Sequence, residues 1–363
     1  MSLAYQVLSL PLEFPFTISR STLSVAKTVL VQLSDPDNPG HDGLGEAVPS
    51  EFYGESIETV QAFYQQLARD EAFLALPPEN HQAFEAYLNQ FPGNAAAKSG
   101  LDIAFWDRFA KRLGRPLHQV WGLDPAACPK TSYTIGIADL AMVRHKTETA
   151  LSRGYDVLKV KLGGPQDLDT LSLIRELAPS ATLRVDANAA WRVSDALALM
   201  PTLATLGVEF VEEPLLLDSP VQDYERLKAE SVLPVMADES CKTLKDIPFC
   251  GRYFHAINLK HSKTGGLMEA MRMIHAARAH DLKIMLGCFS ESLVSISGFA
   301  QLAPLVDYCD LDGCLLISQD PFQQQKSPSG QPLKFHGSVM QLSLLPGIGI
   351  PENPLLQKTS QRF

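Results

Sequence analysis

A repeating pattern that begins at Thr131 constrains the fold of this chain more than any other feature. Short apolar runs alternate there with helical stretches such as AMVRHKTETALSRG and GGLMEAMRMIHAARAH. The apolar runs are TSYTIGI, DVLKVKL, TLRVDAN, VEFVEEP, LPVMADE, HAINLKH, LKIMLGC and DYCDLDG. Alternating strands and helices favour a parallel sheet, and eight such units predict closure into a (β/α)8 barrel. We therefore predict an α/β protein whose barrel covers residues 126–319.

Residues 1–125 follow a different pattern. Strands are predicted for AYQVLSLPL and KTVLVQL, and turns for DPDNPGHDG, which lies between Leu33 and Leu44. Packed helices are predicted for SIETVQAFYQQLARD and AAAKSGLDIAFWDRFAKRLG, because their apolar residues recur every three or four positions. This segment predicts a separate α+β domain. The tail from about 320 to 363 is rich in Pro, Gly and Gln, and we expect it to return to that domain.

Composition excludes several classes of function. The 363 residues are 45% hydrophobic and 20% charged, as in ordinary soluble proteins, and the formal net charge is −10. Nucleic acid is not an expected partner, since no basic stripe offers phosphates a binding surface. We also expect no membrane insertion and no secretion signal. Six cysteines without CxxC spacing argue against a zinc site or a disulfide framework, which fits a cytoplasmic protein.

Charged residues stand at the ends of the predicted barrel strands, where the active sites of such barrels lie. They are Lys159, Lys161, Asp186, Glu212, Asp238 and Lys260. Consecutive carboxylates are 26 residues apart (212 − 186 and 238 − 212), which is one βα unit. Three anions at one point would repel one another unless a hard cation lay between them, and Mg²⁺ prefers such oxygen ligands. Zinc would usually require His or Cys as well.

Lys159 and Lys161 are two residues apart in one strand, so both side chains point to the same face. Two ammonium groups in a poorly hydrated place repel each other and are costly to bury. A carboxylate-bound cation with its anionic ligand across the barrel mouth would offset that cost.

The motifs KVK, VDAN, VEEP, ADES and NLKHSKTGG, in this order, resemble the enolase superfamily and in particular its muconate-lactonizing-enzyme subgroup. The resemblance covers most of the chain and implies that the α+β domain caps the barrel. It implies that Asp186, Glu212 and Asp238 bind Mg²⁺. It also implies that Lys161 and Lys260 are the acid/base catalysts on the two faces of a substrate α-carbon, with Lys159 supporting the negative charge of an enolate. Two opposed lysines suit a 1,1-proton transfer.

The last predicted strand narrows the expected reaction. In CDLDG, Asp310 and Asp312 lie on one face, where two carboxylates could hold an α-ammonium group. The pair resembles the DxD motif with which dipeptide epimerases of this subgroup bind the amino terminus of a dipeptide. By the same resemblance, Thr134, Cys288 and Ser290 line the dipeptide site. The alternative for the two aspartates is a charged loop end that bonds to backbone amides.

The cap loops PFTISRSTLSVAK and EAVPSEFYGES resemble the specificity loops of the family. Arg20 is present there as a candidate substrate-binding residue, but Leu23 and Phe52 stand where a further basic residue would favour an acidic substrate, and Glu51 adds negative charge. Acidic, hydrophobic and cationic substrate side chains therefore remain open. The resemblance also implies a homo-oligomer.

Neighbouring polar residues receive less specific predictions. We expect Glu213 and Glu239 to support the adjacent metal ligands rather than bind metal themselves. Lys263 is predicted to belong to the loop that follows the sixth strand, where it is either solvated or neutralises the end of a helix. No histidine is assigned a role, because the sequence contains no HxH or HExxH spacing.

The sequence thus predicts a Mg²⁺-dependent dipeptide epimerase that inverts the α-carbon of the C-terminal residue of an L,L-dipeptide. Other reactions of the superfamily remain alternatives, namely N-acylamino acid racemisation, o-succinylbenzoate synthesis and muconate cycloisomerisation. Their substrates lack a free α-ammonium group. A catalytically silent barrel that only binds a ligand or serves a structural role is the alternative from another class of protein.

Overall fold

The computed structural model describes residues 1–35, 40–323 and 332–351. Part of the turn predicted in DPDNPGHDG (36–39) and two parts of the predicted tail (324–331 and 352–363) lie outside the described residues. The described chain consists of an N-terminal antiparallel sheet with helices, followed by an eight-stranded parallel sheet with helices. Within these ranges no helix is long and apolar enough to cross a bilayer.

The N-terminal part is built on a three-stranded antiparallel sheet in the order β1, β2, β3. Its strands are β1 (Ser2–Ile18), β2 (Ser21–Ser34) and β3 (Gly43–Ala47). A 3-10 turn (Glu51–Tyr53) precedes the helices α1 (Ile57–Leu67), α2 (Glu71–Leu74), α3 (His81–Leu88), α4 (Ala95–Arg112) and α5 (Leu117–Val120). The predicted α+β domain is confirmed.

Helix α4 packs unusually close to strand β3, because two strand residues are glycines. A Cβ atom on Gly45 would lie 1.9 Å from the carbonyl oxygen of Gly100, and one on Gly43 would lie 1.9 Å from that of Ala104. Any larger side chain would push the helix away. The approach fixes the position of α4, which also packs against the second part of the molecule.

The parallel sheet contains eight strands that pair in chain order. They are β4 (Tyr133–Ile135), β5 (Val157–Lys161), β6 (Thr182–Asp186), β7 (Val208–Glu212), β8 (Val235–Ala237), β9 (Ala256–Leu259), β10 (Lys283–Gly287) and β11 (Tyr308–Asp310). The helices are α6 (Leu140–Ser152), α7 (Asp167–Leu177), α8 (Val193–Thr205), α9 (Val221–Glu230), α10 (Ile247–Tyr253), α11 (His261–Thr264), α12 (Leu267–Ala279) and α13 (Leu293–Ala300). A parallel bridge between Thr131 and Cys309 joins the two edges, which confirms the predicted barrel.

An apolar layer lies inside the barrel below its mouth. Phe210, Met236, Ala256 and Met285 form a buried cluster of their own inside the barrel. The main core lies between the strands and the surrounding helices, as expected for strands that are buried on both faces. The charged residues at the strand ends therefore rest on a packed apolar layer, and the buried guanidinium of Arg184 lies 5.4 Å from the Phe210 ring centre in that layer.

The tail after residue 332 crosses the end of the barrel opposite its mouth. It forms a hairpin of β12 (Lys334–His336) and β13 (Val339–Gln341). Between these strands, the Ser338 carbonyl accepts the Thr131 N–H at 2.8 Å, and its hydroxyl accepts the Val157 N–H at 3.1 Å. Gly347 then exchanges backbone hydrogen bonds with the segment that follows α4. The predicted domain boundaries at about 125 and 319 stay predictions.

Candidate active site

The six charged residues predicted at the strand ends are all buried at one end of the barrel. Strands β5, β6 and β7 end at Lys161, Asp186 and Glu212, respectively, and Asp238 and Lys260 directly follow β8 and β9. Because parallel strands present their carboxyl ends at the same rim, side chains far apart in the sequence meet there.

Three of these side chains form a cluster suited to a metal ion. Asp186, Glu212 and Asp238 each offer a carboxylate oxygen, and these atoms lie within 4.8 Å of one another. Burial and the neighbouring Asp186 raise the pKa of Glu212 to about 8. Although burial opposes it, the ammonium group of Lys161 holds the pKa of Asp186 below its ordinary value. Three buried oxygen donors without His or Cys fit a hard cation such as Mg²⁺.

Asn258 supports this triad and was missed by the sequence reasoning. Its amide nitrogen donates to Glu212 Oε1 at 2.7 Å, and its position two residues before Lys260 places both side chains inside the barrel. Gly287 makes room for it, since a Cβ atom there would lie 2.3 Å from Asn258 Oδ1. The period of two in NLK was the signal that could have found this residue.

Lys159 and Lys161 both point into the barrel. Lys159 Nζ lies 2.6 Å from Glu212 Oε2, 2.7 Å from Asp310 Oδ2 and 3.2 Å from Asp186 Oδ2. Lys161 Nζ donates to Asp186 Oδ2 at 2.6 Å. Burial alone would lower the pKa of Lys159, but Asp310, Glu212 and Asp186 raise it well above its ordinary value. Lys159 is therefore a fixed positive charge. The three carboxylates around it offset the cost of burying two lysines side by side.

On the other side of the triad, Lys260 Nζ donates to Asp238 Oδ2 at 2.8 Å and lies 4.9 Å from the centre of the Phe289 ring. Burial lowers the pKa of Lys260, but the Asp238 carboxylate outweighs it and raises the value. The 3-10 turn of the cap brings Tyr53 close by, and burial together with Asp238 raises the pKa of its hydroxyl. Sequence alone did not reveal Tyr53, because its placement depends on how the cap packs on the barrel.

The prediction for Lys263 was wrong. Lys263 is 5% exposed, and its ammonium group donates to Asp238 Oδ1 at 2.6 Å and to the carbonyl of Cys241 at 3.0 Å. The short helix α11 turns the chain inward after Lys260, so a residue expected in a solvated loop lies beneath a carboxylate of the triad. Glu213 also supports Asp238, because its carboxylate accepts the Asp238 N–H at 2.7 Å.

Asp310 and Asp312 lie together at the end of the last strand, and both are buried. Asp310 accepts from Lys159, whereas Asp312 Oδ2 accepts the backbone N–H of Thr134 at 2.6 Å. The sulfur of Cys288 lies 3.7 Å from Asp312 Oδ1. Burial and the Asp310 charge raise the pKa of Asp312 to about 7. The hydrogen bond from a backbone amide that the alternative interpretation predicts is therefore present at Asp312. A second carboxylate, that of Asp310, lies beside it.

The hairpin between β1 and β2 covers part of the mouth. Arg20 Nη2 donates to Glu239 Oε1 at 2.6 Å, Nη1 donates to the Asn188 carbonyl at 3.0 Å, and the guanidinium lies 4.2 Å from the Phe52 ring centre. Arg20 thus joins the cap to the barrel, with a third of its side chain exposed. Ser290 is half-buried in the loop after β10.

Family models match both parts of the chain. Residues 4–122 match the description "Mandelate racemase / muconate lactonizing enzyme, N-terminal domain", and residues 141–354 match "Enolase C-terminal domain-like". Among curated relatives, a protein of Maribacter sp. named L-Ala-D/L-amino acid epimerase is 37% identical over 323 residues, which cover 88% of this chain and 92% of that protein.

Two solved structures are similar over almost their whole length. A substrate-liganded complex of the L-Ala-D/L-Glu epimerase from Bacillus subtilis has a TM-score of 0.87 at 26% identity and covers 96% of this chain and 98% of its own. A dipeptide epimerase from Enterococcus faecalis, complexed with Mg and L-Leu-L-Tyr, has a TM-score of 0.84 at 26% identity, with the same coverages of 96% and 98%. The predicted resemblance is confirmed: the chain belongs to the enolase superfamily, in its mandelate racemase/muconate lactonizing enzyme branch.

Proposed function

We propose that this protein is a Mg²⁺-dependent dipeptide epimerase that inverts the α-carbon of the C-terminal residue of an L,L-dipeptide. One observation carries the proposal: two buried lysines, Lys161 and Lys260, flank a buried triad of carboxylates. Asp186, Glu212 and Asp238 would hold the ion. Bound Mg²⁺ would fix the substrate carboxylate and stabilise the negative charge that develops when the α-proton leaves.

The two lysines would perform a 1,1-proton transfer. One lysine, as the neutral amine, takes the α-proton from one face of the substrate, and the electron pair of the C–H bond passes to the adjacent carboxylate. The other lysine, as the ammonium, returns a proton to the opposite face. One proton is removed and one is added, so substrate and product differ only in configuration. Lys159, fixed among carboxylates, would stabilise the anionic intermediate electrostatically.

Asp310 and Asp312 would bind the ammonium group of the dipeptide. Their neighbouring carboxylates support this role: burial and then repulsion from Asp310 raise the pKa of Asp312, and a cationic ligand relieves that repulsion. Thr134 and Cys288, which contact Asp312, would line the dipeptide site together with Ser290. A substrate without a free amine would forfeit the interaction.

Arg20 and Phe52 of the cap are the residues that would meet the side chain of the inverted residue. The similar proteins carry names or ligands with an unspecified amino acid, glutamate and tyrosine at this position. Arg20 would approach an acidic side chain, but its guanidinium already pairs with Glu239, whereas Phe52 beside it would contact an apolar one.

We also propose a cytoplasmic location and a homo-oligomeric assembly. All six cysteines are free thiols, which is compatible with a reducing compartment. Light scattering coupled to size-exclusion chromatography would measure the mass in solution, and a mass of a single chain, about 40 kDa against the sequence value of 39.8 kDa, would contradict the oligomer.

The function is tested by deuterium uptake in D₂O with Mg²⁺ across L-Ala-L-X dipeptides, in which X is acidic, hydrophobic or basic. N-acetylated dipeptides are the controls. Uptake confined to dipeptides with a free amine, together with NMR signals of the second diastereomer, is expected. Uptake confined to N-acylated controls would instead identify a racemase, and silence on all substrates would refute the epimerase.

A further inference from the structure

Three buried side chains that are hydrogen-bonded in series connect the cap to the barrel behind Lys260. His261 Nδ1 lies 2.7 Å from Ser99 Oγ, and His261 Nε2 lies 2.6 Å from Glu291 Oε2. All three residues have 0% exposure. Among the described residues, none of these three side chains bonds to Lys161, Lys260 or a carboxylate of the triad. Their hydrogen bonds therefore act on the positions of the segments that they join.

Two of these segments determine where Lys260 lies. His261 follows Lys260 in sequence and begins helix α11, and the Lys260 carbonyl accepts the N–H of Lys263 at 2.9 Å within that turn. Glu291 belongs to the loop that also carries Phe289, whose ring faces the ammonium group of Lys260. The bond between His261 and Glu291 thus ties the backbone beside Lys260 to the loop that contacts its side chain.

The third segment is helix α4 of the cap. Ser99 lies on its first turns, and Asp102, less than one turn later, accepts the N–H groups of Leu267 at 2.6 Å and of Met268 at 3.2 Å. One face of α4 therefore bonds to both the start of α11 and the start of α12. The close packing of α4 on β3 gives this face a fixed position.

Lys161 has a different environment. The residue that follows it is Leu162, an apolar core residue whose N–H donates to the Asp186 carbonyl at 2.8 Å. The residue next to Lys161 is therefore held within the barrel, and the cap approaches only one residue later, where a Cβ atom on Gly163 would lie 2.8 Å from that of Ser19. The two lysines of the proposed transfer differ in this respect, although both bond to a carboxylate of the triad.

We infer that His261 is a positioning residue for Lys260, through which the packing of the cap controls one of the two proton-transfer steps. The inference rests on the proposed function. It specifies an asymmetry: disturbing the chain of Ser99, His261 and Glu291 slows removal of the α-proton by Lys260 and leaves removal by Lys161 nearly unchanged.

The choice of variants follows from the burial of Glu291. Its Oε1 has no hydrogen-bond partner among the described residues, so a variant without a donor at position 261 would leave a buried carboxylate wholly unbonded. His261→Gln keeps an amide donor for Glu291 but loses the geometry of the ring. Ser99→Ala removes only the bond to the cap. Ser295→Ala is the matched control, because Ser295 makes another buried bond to the cap, at 2.7 Å to Glu46, on a helix without a lysine of the site.

The experiment measures the rate of α-proton exchange in D₂O for each of the two epimers of the best dipeptide. Lys260→Arg identifies the epimer whose exchange depends on Lys260. For that epimer we expect His261→Gln to lower the rate about tenfold and Ser99→Ala about threefold, while the other epimer changes less than about twofold. Ser295→Ala should leave the ratio of the two rates unchanged.

Equal loss for both epimers in Ser99→Ala, or no loss in either variant, would overturn the inference. Thermal unfolding of each variant identifies a folding defect, and Ser99→Ala decides the question if His261→Gln does not fold. Absence of exchange in the unsubstituted protein with every dipeptide would instead refute the proposed function, and the inference with it. The two failures are thereby distinguished.

Discussion

The two sides of the barrel mouth differ in what holds them. On the Lys161 side (Lys159, Lys161 and Asp186), the charged groups bond mainly to other residues on barrel strands. On the Lys260 side (Asp238, Lys260 and Lys263), the supporting groups also include Phe289 and, through His261, the cap residue Ser99. The barrel strands thus carry the charged groups on both sides. On the Lys260 side a cap residue also bonds to the residue directly after the lysine, whereas on the Lys161 side the cap contacts lie two residues beyond the charged groups, at Gly163 and Asn188.

The largest expected effect comes from the carboxylate that lies between the two sides. Glu212→Gln removes a charge from the triad, so Mg²⁺ and the substrate carboxylate lose a common anchor, and exchange of both epimers should fall about 10³-fold or more. Rates measured at increasing Mg²⁺ check this expectation. Glu209→Gln, on the same strand but paired with Arg184 near its start, is the control. A loss for only one epimer would contradict a shared role.

Lys263→Met should affect the Lys260 side more than the Lys161 side. Asp238 would lose the ammonium group that fixes its Oδ1, and we expect Mg²⁺ affinity to fall by about 10- to 100-fold, as for other residues that orient metal ligands. Isothermal titration with Mg²⁺ measures the affinity. Lys283→Met removes an exposed lysine, bonded to Asp307, and should leave it unchanged. Unaltered affinity in Lys263→Met would show that Asp238 needs no such support.

The pH dependence of substrate binding should report on Asp312, which adjoins the Lys161 side. Its pKa is raised to about 7, so the carboxylate forms, and binds an ammonium group, as the pH rises through this value. The KM for a free-amine dipeptide should therefore fall as the pH rises from about 6 to about 8, the range over which Asp312 titrates. This fall should vanish in Asp312→Asn. Parallel behaviour of the variant and the unsubstituted protein would assign the titration to another group.

The same raised pKa has a consequence for stability. Since the folded-state pKa of Asp312 exceeds its ordinary value of 3.8, ionisation is disfavoured in the folded protein, and stability is lost as the pH rises towards and through about 7. Asp312→Asn should thus raise the unfolding temperature more at pH 8 than at pH 5. A larger gain at pH 5 would contradict this sign.

The smallest expected effect concerns Arg20, which joins the cap to the mouth. Arg20→Met breaks the pair with Glu239, but the guanidinium is partly exposed, so we expect KM to rise only about two- to threefold. Comparing L-Ala-L-Glu with L-Ala-L-Leu separates two roles. An equal rise indicates a contact that holds the cap, whereas a rise confined to the acidic dipeptide indicates direct contact with its side chain.

Much of the fold and the site could be predicted because all strands of a parallel barrel end at the same rim, so residues one βα unit apart in the sequence meet there. The 26-residue spacing of Asp186, Glu212 and Asp238 corresponds to one strand and helix each, so local pattern sufficed to bring them together. Lys263 was mispredicted because KHSK looks like a polar loop unless one knows that α11 turns inward. Tyr53 escaped prediction for another reason, since its position depends on contacts between segments more than 180 residues apart.

His261 illustrates the same limit more sharply. Its two partners, Ser99 and Glu291, are 162 and 30 residues away. His261 itself lies in the NLKHSKTGG motif, but that motif does not indicate either partner. A buried histidine bonded on both ring nitrogens is defined by packing between domains, which no local spacing records.

The central claim is that two lysines act on opposite faces of one α-carbon, and the most direct test is exchange in Lys161→Arg and Lys260→Arg with each epimer in D₂O. We predict that each variant stops inversion but still exchanges the α-proton of one epimer, and that the surviving epimer differs between the two variants. Loss of exchange for the same epimer in both variants would contradict the account.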